Sequence, residues 1–245
     1  MDNAHMTKLQ LIKPSAMVQM VNVFTRLERI AYNYLIHRAR KSQNDGPWEV
    51  PMSELEDVLG VGRNNRPFLM DMLASLVSYP VTYDVLGKDG SQVWKSHATL
   101  FAQLSFSLDG TMIRYEFASG IMQYIREPQM YAKFDITEQM SIKSSAAVAL
   151  HEYFHDVLGG KRTEHTQRVT IDAIRQLLGW TEKYTAFKEF SRQLNLAVEQ
   201  VNRVGQLKVE LKLNKRGRTP LDYTVTLEKS QTPAEAMAMI KDILR

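Results

Sequence analysis

Residues 151–155 read His-Glu-Tyr-Phe-His within VALHEYFHDVL. On a helix, a spacing of four sets His151 and His155 one turn apart on one face, where two imidazoles can share a zinc ion. Hydrolysis would also need a third ligand, and Glu152 as general base in a cleft. The extended metzincin pattern places Gly three residues past the second His and a third His beyond it. This chain has Leu158 and Lys161 there. Glu182 can be proposed as a third ligand, but it falls in a polar turn. Helical phase places Ala147, Leu150, Tyr153, Phe154, Val157 and Leu158 on the buried stripe, with both histidines at its edge and Glu152 nearly opposite. The expectation is a structural helix with no metal ligands and no catalytic residues. A zinc hydrolase stands as the remote alternative.

Other reactive constellations are missing from the sequence. There are no cysteines, hence no disulfides, thiolate nucleophiles or cysteine-based zinc sites. The histidines, at 5, 37, 97, 151, 155 and 165, are never two apart, so the His-x-His metal site of rolling-circle nicking enzymes is missing. No G-x-x-x-x-G-K-[ST] loop occurs, which argues against an ATP-driven helicase. No cofactor is expected.

The 245 residues allow one large domain or two modest ones. At 44% hydrophobic and 24% charged, the composition is that of a globular chain. No apolar run approaches the ~20 residues that span a bilayer, and the N-terminus does not read as a secretory signal. A cytoplasmic protein without membrane contact is expected. Residues 161–229 hold 14 Lys and Arg against 8 Asp and Glu, a net +6, while the rest of the chain is −2. A basic C-terminal part suggests an anionic partner such as nucleic acid.

The elements that would position such contacts repeat. Residues 49–68 (EVPMSELEDVLGVGRNNRPF) and 168–187 (RVTIDAIRQLLGWTEKYTAF) align at an offset of 119, matching Val50 with Val169, Leu59 with Leu178, Gly60 with Gly179 and Phe68 with Phe187. Each copy reads as a short extended stretch, a two-turn helix, a Gly, a polar turn and a longer helix, which is a helix-turn-helix. Thr170 can N-cap the second short helix, and each Gly suits a helix end needing φ > 0. Strands follow both copies. YPVTYDVL, a GKDG hairpin turn, SQVWKSHATLFAQLSFSL and TMIRYEF follow the first. QLKVELKL, NKRGRT and PLDYTVTLE follow the second, with period-two alternation over Leu207–Leu213.

Further helices are expected over 20–41, 119–127 and 144–158, and after the capping box Thr232-Pro233-Ala234-Glu235. The fold class is α+β: two tandem winged-helix domains, each a helix-turn-helix plus a β-hairpin wing. The boundary is placed near Glu127-Pro128-Gln129, giving domains 7–128 and 129–245.

The second long helix should bury Phe187, Phe190, Leu194, Ala197, Val198 and Val201. Lys188, Arg192 and Asn195 then lie on a wet face, suited to base edges in a major groove. Lys183, Tyr184, Thr185 and Ser191 suit phosphates. Lys215, Arg216 and Arg218, on a flexible hairpin tip, suit phosphate or minor-groove contact. The first copy offers a weaker set: Arg63, Asn64, Asn65 and Arg66 at its helix start, and Lys88 and Lys95 around its hairpin.

The chain resembles the iteron-binding plasmid replication initiators, the bacterial Rep proteins with two winged helices. The resemblance runs from about Ile12 to Lys229. It is carried by LIKPSAMVQM, YEFASGIMQYI, FDITEQMSIKSSAAVALHEYFHDVL, WTEKYTAFKEFSRQLNLAVEQVN and the closing basic hairpin, in that order and spacing. It implies binding of double-stranded DNA at directly repeated origin sites, opening of an A·T-rich segment, and recruitment of a host initiator ATPase and the replicative helicase. It also implies a monomer–dimer balance through the first domain, with dimers acting at an operator for autoregulation and copy control. Lys183, Lys188, Arg192 and the wing cations would be the main contacts. A winged-helix transcriptional repressor without replication function is the nearer alternative.

Overall fold

The structure is a computed structural model describing residues 8–20, 24–42, 44–86, 92–128, 130–160 and 162–230, without the side chains of 82–86 and 92–95. The capping box at 232–235 and the helix expected after it lie outside the described residues. The first part of the chain runs β1 (Gln10–Pro14), α1 (Ser15–Val18), α2 (Arg26–Lys41), β2 (Trp48–Pro51), α3 (Met52–Leu59), α4 (Arg66–Leu76), β3 (Pro80–Leu86), β4 (Gln92–Thr99), β5 (Phe101–Phe106), β6 (Met112–Phe117) and α5 (Ser119–Arg126). The second part runs β7 (Tyr131–Asp135), α6 (Ile136–Ser141), α7 (Ser145–Leu158), β8 (Glu164–Thr170), α8 (Ile171–Leu178), α9 (Phe187–Arg203), β9 (Leu207–Arg216) and β10 (Thr219–Lys229).

Two winged helices follow from this order. In the first, α3 and α4 form the helix-turn-helix and β2-β6-β5 the sheet; in the second, α8 and α9 pair with β8-β10-β9. The repeat holds at the level of dihedral angles. Gly60 and Gly179 end their short helices at the same φ 65° and ψ 34°, a left-handed conformation open to glycine at little cost.

Three expectations change. Helix α2 starts at Arg26 rather than near residue 20, because Thr25 and Glu28 close a capping box there. The GKDG turn expected at 87–90 lies outside the described residues. Among the described residues the strands on either side of it, β3 and β4, pair only with each other, and the strand that pairs β2 is β6, joined to β5 by Ser107–Thr111. Adjacent hairpins carry similar turn signals, and only long-range pairing decides which one joins the winged-helix sheet. The third change concerns α7.

Helix α7 is buried nearly all round: Ala146 through Glu152, Phe154, His155 and Leu158 are all inside. One side packs on α9 and the other on α2 and β7. Strand β7 in turn pairs with β1, Ile12 opposite Lys133, across the Pro128 region. A helix sandwiched between two packing surfaces has no wet face, so Glu152, His151 and His155 are interior rather than solvated. Glu152 is fully buried and accepts hydrogen bonds from Lys13 Nζ (2.7 Å), Arg29 Nε (3.0 Å) and Nη2 (2.9 Å), and Asn33 Nδ2 (2.6 Å). Burial alone would raise its carboxyl, yet Arg29 and Lys13 hold it down to about 2. Burial, with the like charge of Arg29, draws Lys13 down to about 8 against the pull of Glu152, and Lys13 stays protonated at neutral pH. Among the described residues no helix is long and apolar enough to cross a membrane.

Candidate nucleic-acid interface

The interface is built from the second helix-turn-helix and its wing. Thr170 caps α8 by accepting from the Ala173 N–H at 3.1 Å. Helix α9 buries Phe190, Leu194, Ala197, Val198 and Val201, with Phe187 half-buried. Each Leu- or Phe-sized side chain so buried stabilises the helix by roughly 1.5–3 kcal/mol. The opposite face is solvated: Lys188, Arg192 and Asn195 are all exposed, as the helical phase requires. Arg192 is held by Glu189 one turn earlier through two bonds, 3.0 and 2.7 Å. This pair is exposed, so an incoming phosphate or base edge competes with it in high dielectric.

The turn between the helices has an organiser that sequence reading missed. Arg175, in the last turn of α8, donates to the carbonyls of Lys183 (3.0 Å), Tyr184 (2.8 Å), Trp180 (3.3 Å) and Thr185 (3.4 Å). Its guanidinium lies 4.5 Å from the centre of the Phe190 ring. Arg175 therefore ties the turn's carbonyls inward while the side chains of Lys183 and Thr185 stay exposed. Tyr184 adopts φ 53°, unusual for a residue with a side chain, and packs edge-on to Trp180 at 4.9 Å. The signal available in the sequence was a cation at the carboxyl end of the short helix, where it complements the helix dipole.

Strands β9 and β10 form the wing. Leu207 and Val209 are buried while Lys208 and Glu210 are exposed, so the alternation read from the sequence holds. The tip is tighter than the expected flexible loop: Arg216 pairs with Thr219, leaving a two-residue turn of Gly217 (φ 62°) and Arg218. Lys215, Arg216 and Arg218 are exposed there. Asn214 is held by its contacts to Asp222 (2.6 Å) and Thr224 (2.8 Å). Tyr223 donates to Ser191 Oγ at 3.0 Å, which locks α9 onto the wing and half-buries the Ser191 hydroxyl.

The first domain presents a different surface. Arg63, Asn64 and Asn65 are exposed on a 3-10 turn before α4. Arg66 bonds the buried Glu56 at 2.8 and 3.2 Å and is a brace between α3 and α4. The turn joining β5 and β6 carries Leu108, fully exposed, and Asp109, whose carboxyl is drawn down to about 2 by the Ser107 hydroxyl and Thr111. That tip is apolar and acidic where the second wing is cationic. Lys95 lies on β4, outside the three-stranded sheet, and Lys88 lies outside the described residues.

Two winged helices in tandem, the second with a cationic helix face and a cationic wing tip, place the chain among winged-helix nucleic-acid-binding proteins. Residues 10–155 match the family described as Initiator Replication protein, WH1, and residues 170–227 match Initiator Rep protein, WH2. The chain belongs to this family of DNA-binding replication initiators. Its fold is similar to the Pi initiator protein, solved in complex with iteron DNA, at TM-score 0.68 and 11% identity, covering 91% of this chain and 98% of that one. It is also similar to domains 2 and 3 of RctB, at TM-score 0.53 and 10% identity, covering 83% and 80%. No curated protein matches the chain by sequence.

Proposed function

We propose that the protein binds direct repeats in a plasmid origin through α9 and the β9–β10 wing. In this reading Lys188, Arg192 and Asn195 meet base edges. Lys183, Tyr184, Thr185 and Ser191 meet phosphates, and Lys215, Arg216 and Arg218 grip the backbone beside them. Residues 129–245 supply the main DNA recognition. Residues 7–128 supply dimerisation and an auxiliary contact through Arg63, Asn64 and Asn65. The observation that carries this reading is the solvent-facing cationic row of α9 beside an equally solvent-facing cationic wing. The similarity to a solved initiator with iteron DNA supports it.

Binding and bending then help to open an adjacent A·T-rich segment. The host initiator ATPase and helicase are recruited to that segment, and dimers act on the initiator's own promoter. The protein works by binding and not by catalysis: Glu152, the residue a zinc hydrolase would need as base, is already engaged by Lys13 and Arg29. Footprinting on the DNA flanking the gene, with permanganate mapping of melted bases, tests the reading. Protection of direct repeats about two helical turns apart, with melting beside them, is expected. Protection of a promoter alone, with no repeats and no melting, would favour a simple repressor.

A further inference from the structure

His151 and His155 sit far from any role in reading DNA, and the fold brings them a companion that the sequence pattern does not suggest. That companion is Glu138, on α6. We propose that Glu138, His151 and His155 form a structural site for one divalent transition-metal ion of the zinc class, fastening α6 to α7. The proposal goes beyond the DNA-binding reading and does not depend on it.

One ligand atom from each of the three side chains lies within 4.8 Å of the other two. His151 Nε2 and Glu138 Oε2 are 3.0 Å apart, and the two imidazole centres are 4.6 Å apart. Donors around a tetrahedral zinc, at about 2.0–2.1 Å from the metal, stand roughly 3.3 Å from one another. A side-chain adjustment of about 1–1.5 Å therefore closes the set. Two imidazoles and one carboxylate are a donor set that zinc accepts, with the fourth position left for water.

A second observation points the same way. His155 is 7% exposed, and its Nε2 is buried with no hydrogen-bond partner among the described residues. Buried polar atoms without a partner are rare, and each asks for a reason. Phe134 walls the site, its ring 5.6 Å from His151 and 5.9 Å from His155. Gln139 lies 3.5 Å from His151 Nδ1 and is bonded to Asn33 on α2, connecting the site to the first domain.

The arrangement is not that of a zinc hydrolase. The third donor comes from α6, and the Glu between the histidines points into the Lys13–Arg29 cluster instead. An ion here would hold two helices together with no base beside it.

The test uses the full chain, stripped with a chelator and titrated with Zn²⁺ by calorimetry and with Co²⁺ by visible absorption. One ion per chain is expected, with a cobalt spectrum of nitrogen ligation. His155→Ala and Glu138→Gln should each weaken zinc binding by at least about tenfold, a loss that outer-shell changes alone can cause. His165→Ala, on β8, should leave it unchanged. Sub-stoichiometric zinc in the wild type, or zinc affinity unchanged from wild type in the site variants, would overturn the proposal. Should His155→Ala fail to fold, Glu138→Gln decides alone. DNA affinity measured on the same samples keeps the outcome separate from that of the DNA-binding reading.

Discussion

Replacing Glu152 by Gln keeps the side chain's shape and removes its charge, leaving Lys13 and Arg29 buried at 1% exposure without the carboxylate they share. Removing one partner of a buried ion pair costs about 3–5 kcal/mol. Against a total of about 5–15 kcal/mol for a folded chain, that is a large fraction. Lys13→Met is the informative companion. It leaves the Arg29–Glu152 pair intact and removes a cation whose charge burial already opposes, so it should cost less than about 1.5 kcal/mol.

The pH dependence carries a sign. Glu152 has a folded pKa depressed from 4.5 to about 2, so its contribution is present above 4.5 and is lost as pH falls through 2. At about 1.4 kcal/mol per pH unit, that amounts to about 3 kcal/mol, lost by the wild type in acid and missing from Glu152→Gln at every pH. Lys13 gives a slope of the same sign in its own window: its folded pKa is lowered from 10.5 to about 8, so stability rises as pH climbs between those values. Urea unfolding of the full chain in chelator, followed from pH 10.5 down to 2, measures these differences. A loss below about 1 kcal/mol for Glu152→Gln at pH 7, or acid curves of the same shape for both proteins, would refute the reasoning.

The matched helix ends give a paired prediction: Gly60→Ala and Gly179→Ala should each destabilise by about 1–2 kcal/mol, read by thermal unfolding, because both hold φ 65°. Arg175→Met should cost about 2–3 kcal/mol through the lost bonds to the turn carbonyls. It should also weaken DNA binding although Arg175 touches no base, and normal binding would show that the turn holds itself. Arg216→Ala, on the wing, should weaken binding to all sequences alike and lower the salt slope by about one in an anisotropy titration.

The second domain was the most legible part of the chain. Its signals are local: Thr170 as a cap, Gly179 as a stop, the 3.6-residue stripe of α9 and the period-two alternation from Leu207. Each is written within a few residues of where it acts. The first domain was harder, since which strand joins the sheet is decided by a pairing between distant residues, Pro51 opposite Met112 and Trp48 opposite Tyr115. Glu152 failed for the same reason. Its phase was judged against the stripe facing α9, while the residues that bury it, Lys13 and Arg29, lie more than a hundred positions away. Of the residues proposed to meet DNA, the exposure of Lys188, Arg192 and Asn195 was readable from phase. For Arg175 the sequence offered its place at the end of the short helix but not its partners, which are backbone carbonyls.

The DNA-reading role proposed for α9 and its wing has a direct readout. Fluorescence anisotropy with a repeat from the gene's flank and a scrambled duplex, across 50–200 mM salt, tests it for wild type and Lys188→Ala. The wild type should prefer the repeat and lose affinity steeply as salt rises, with log K linear in log salt. Lys188→Ala should lose about five- to a hundredfold on the repeat and little on the scrambled duplex. Affinity that ignores salt, or a variant as selective as the wild type, would contradict the account.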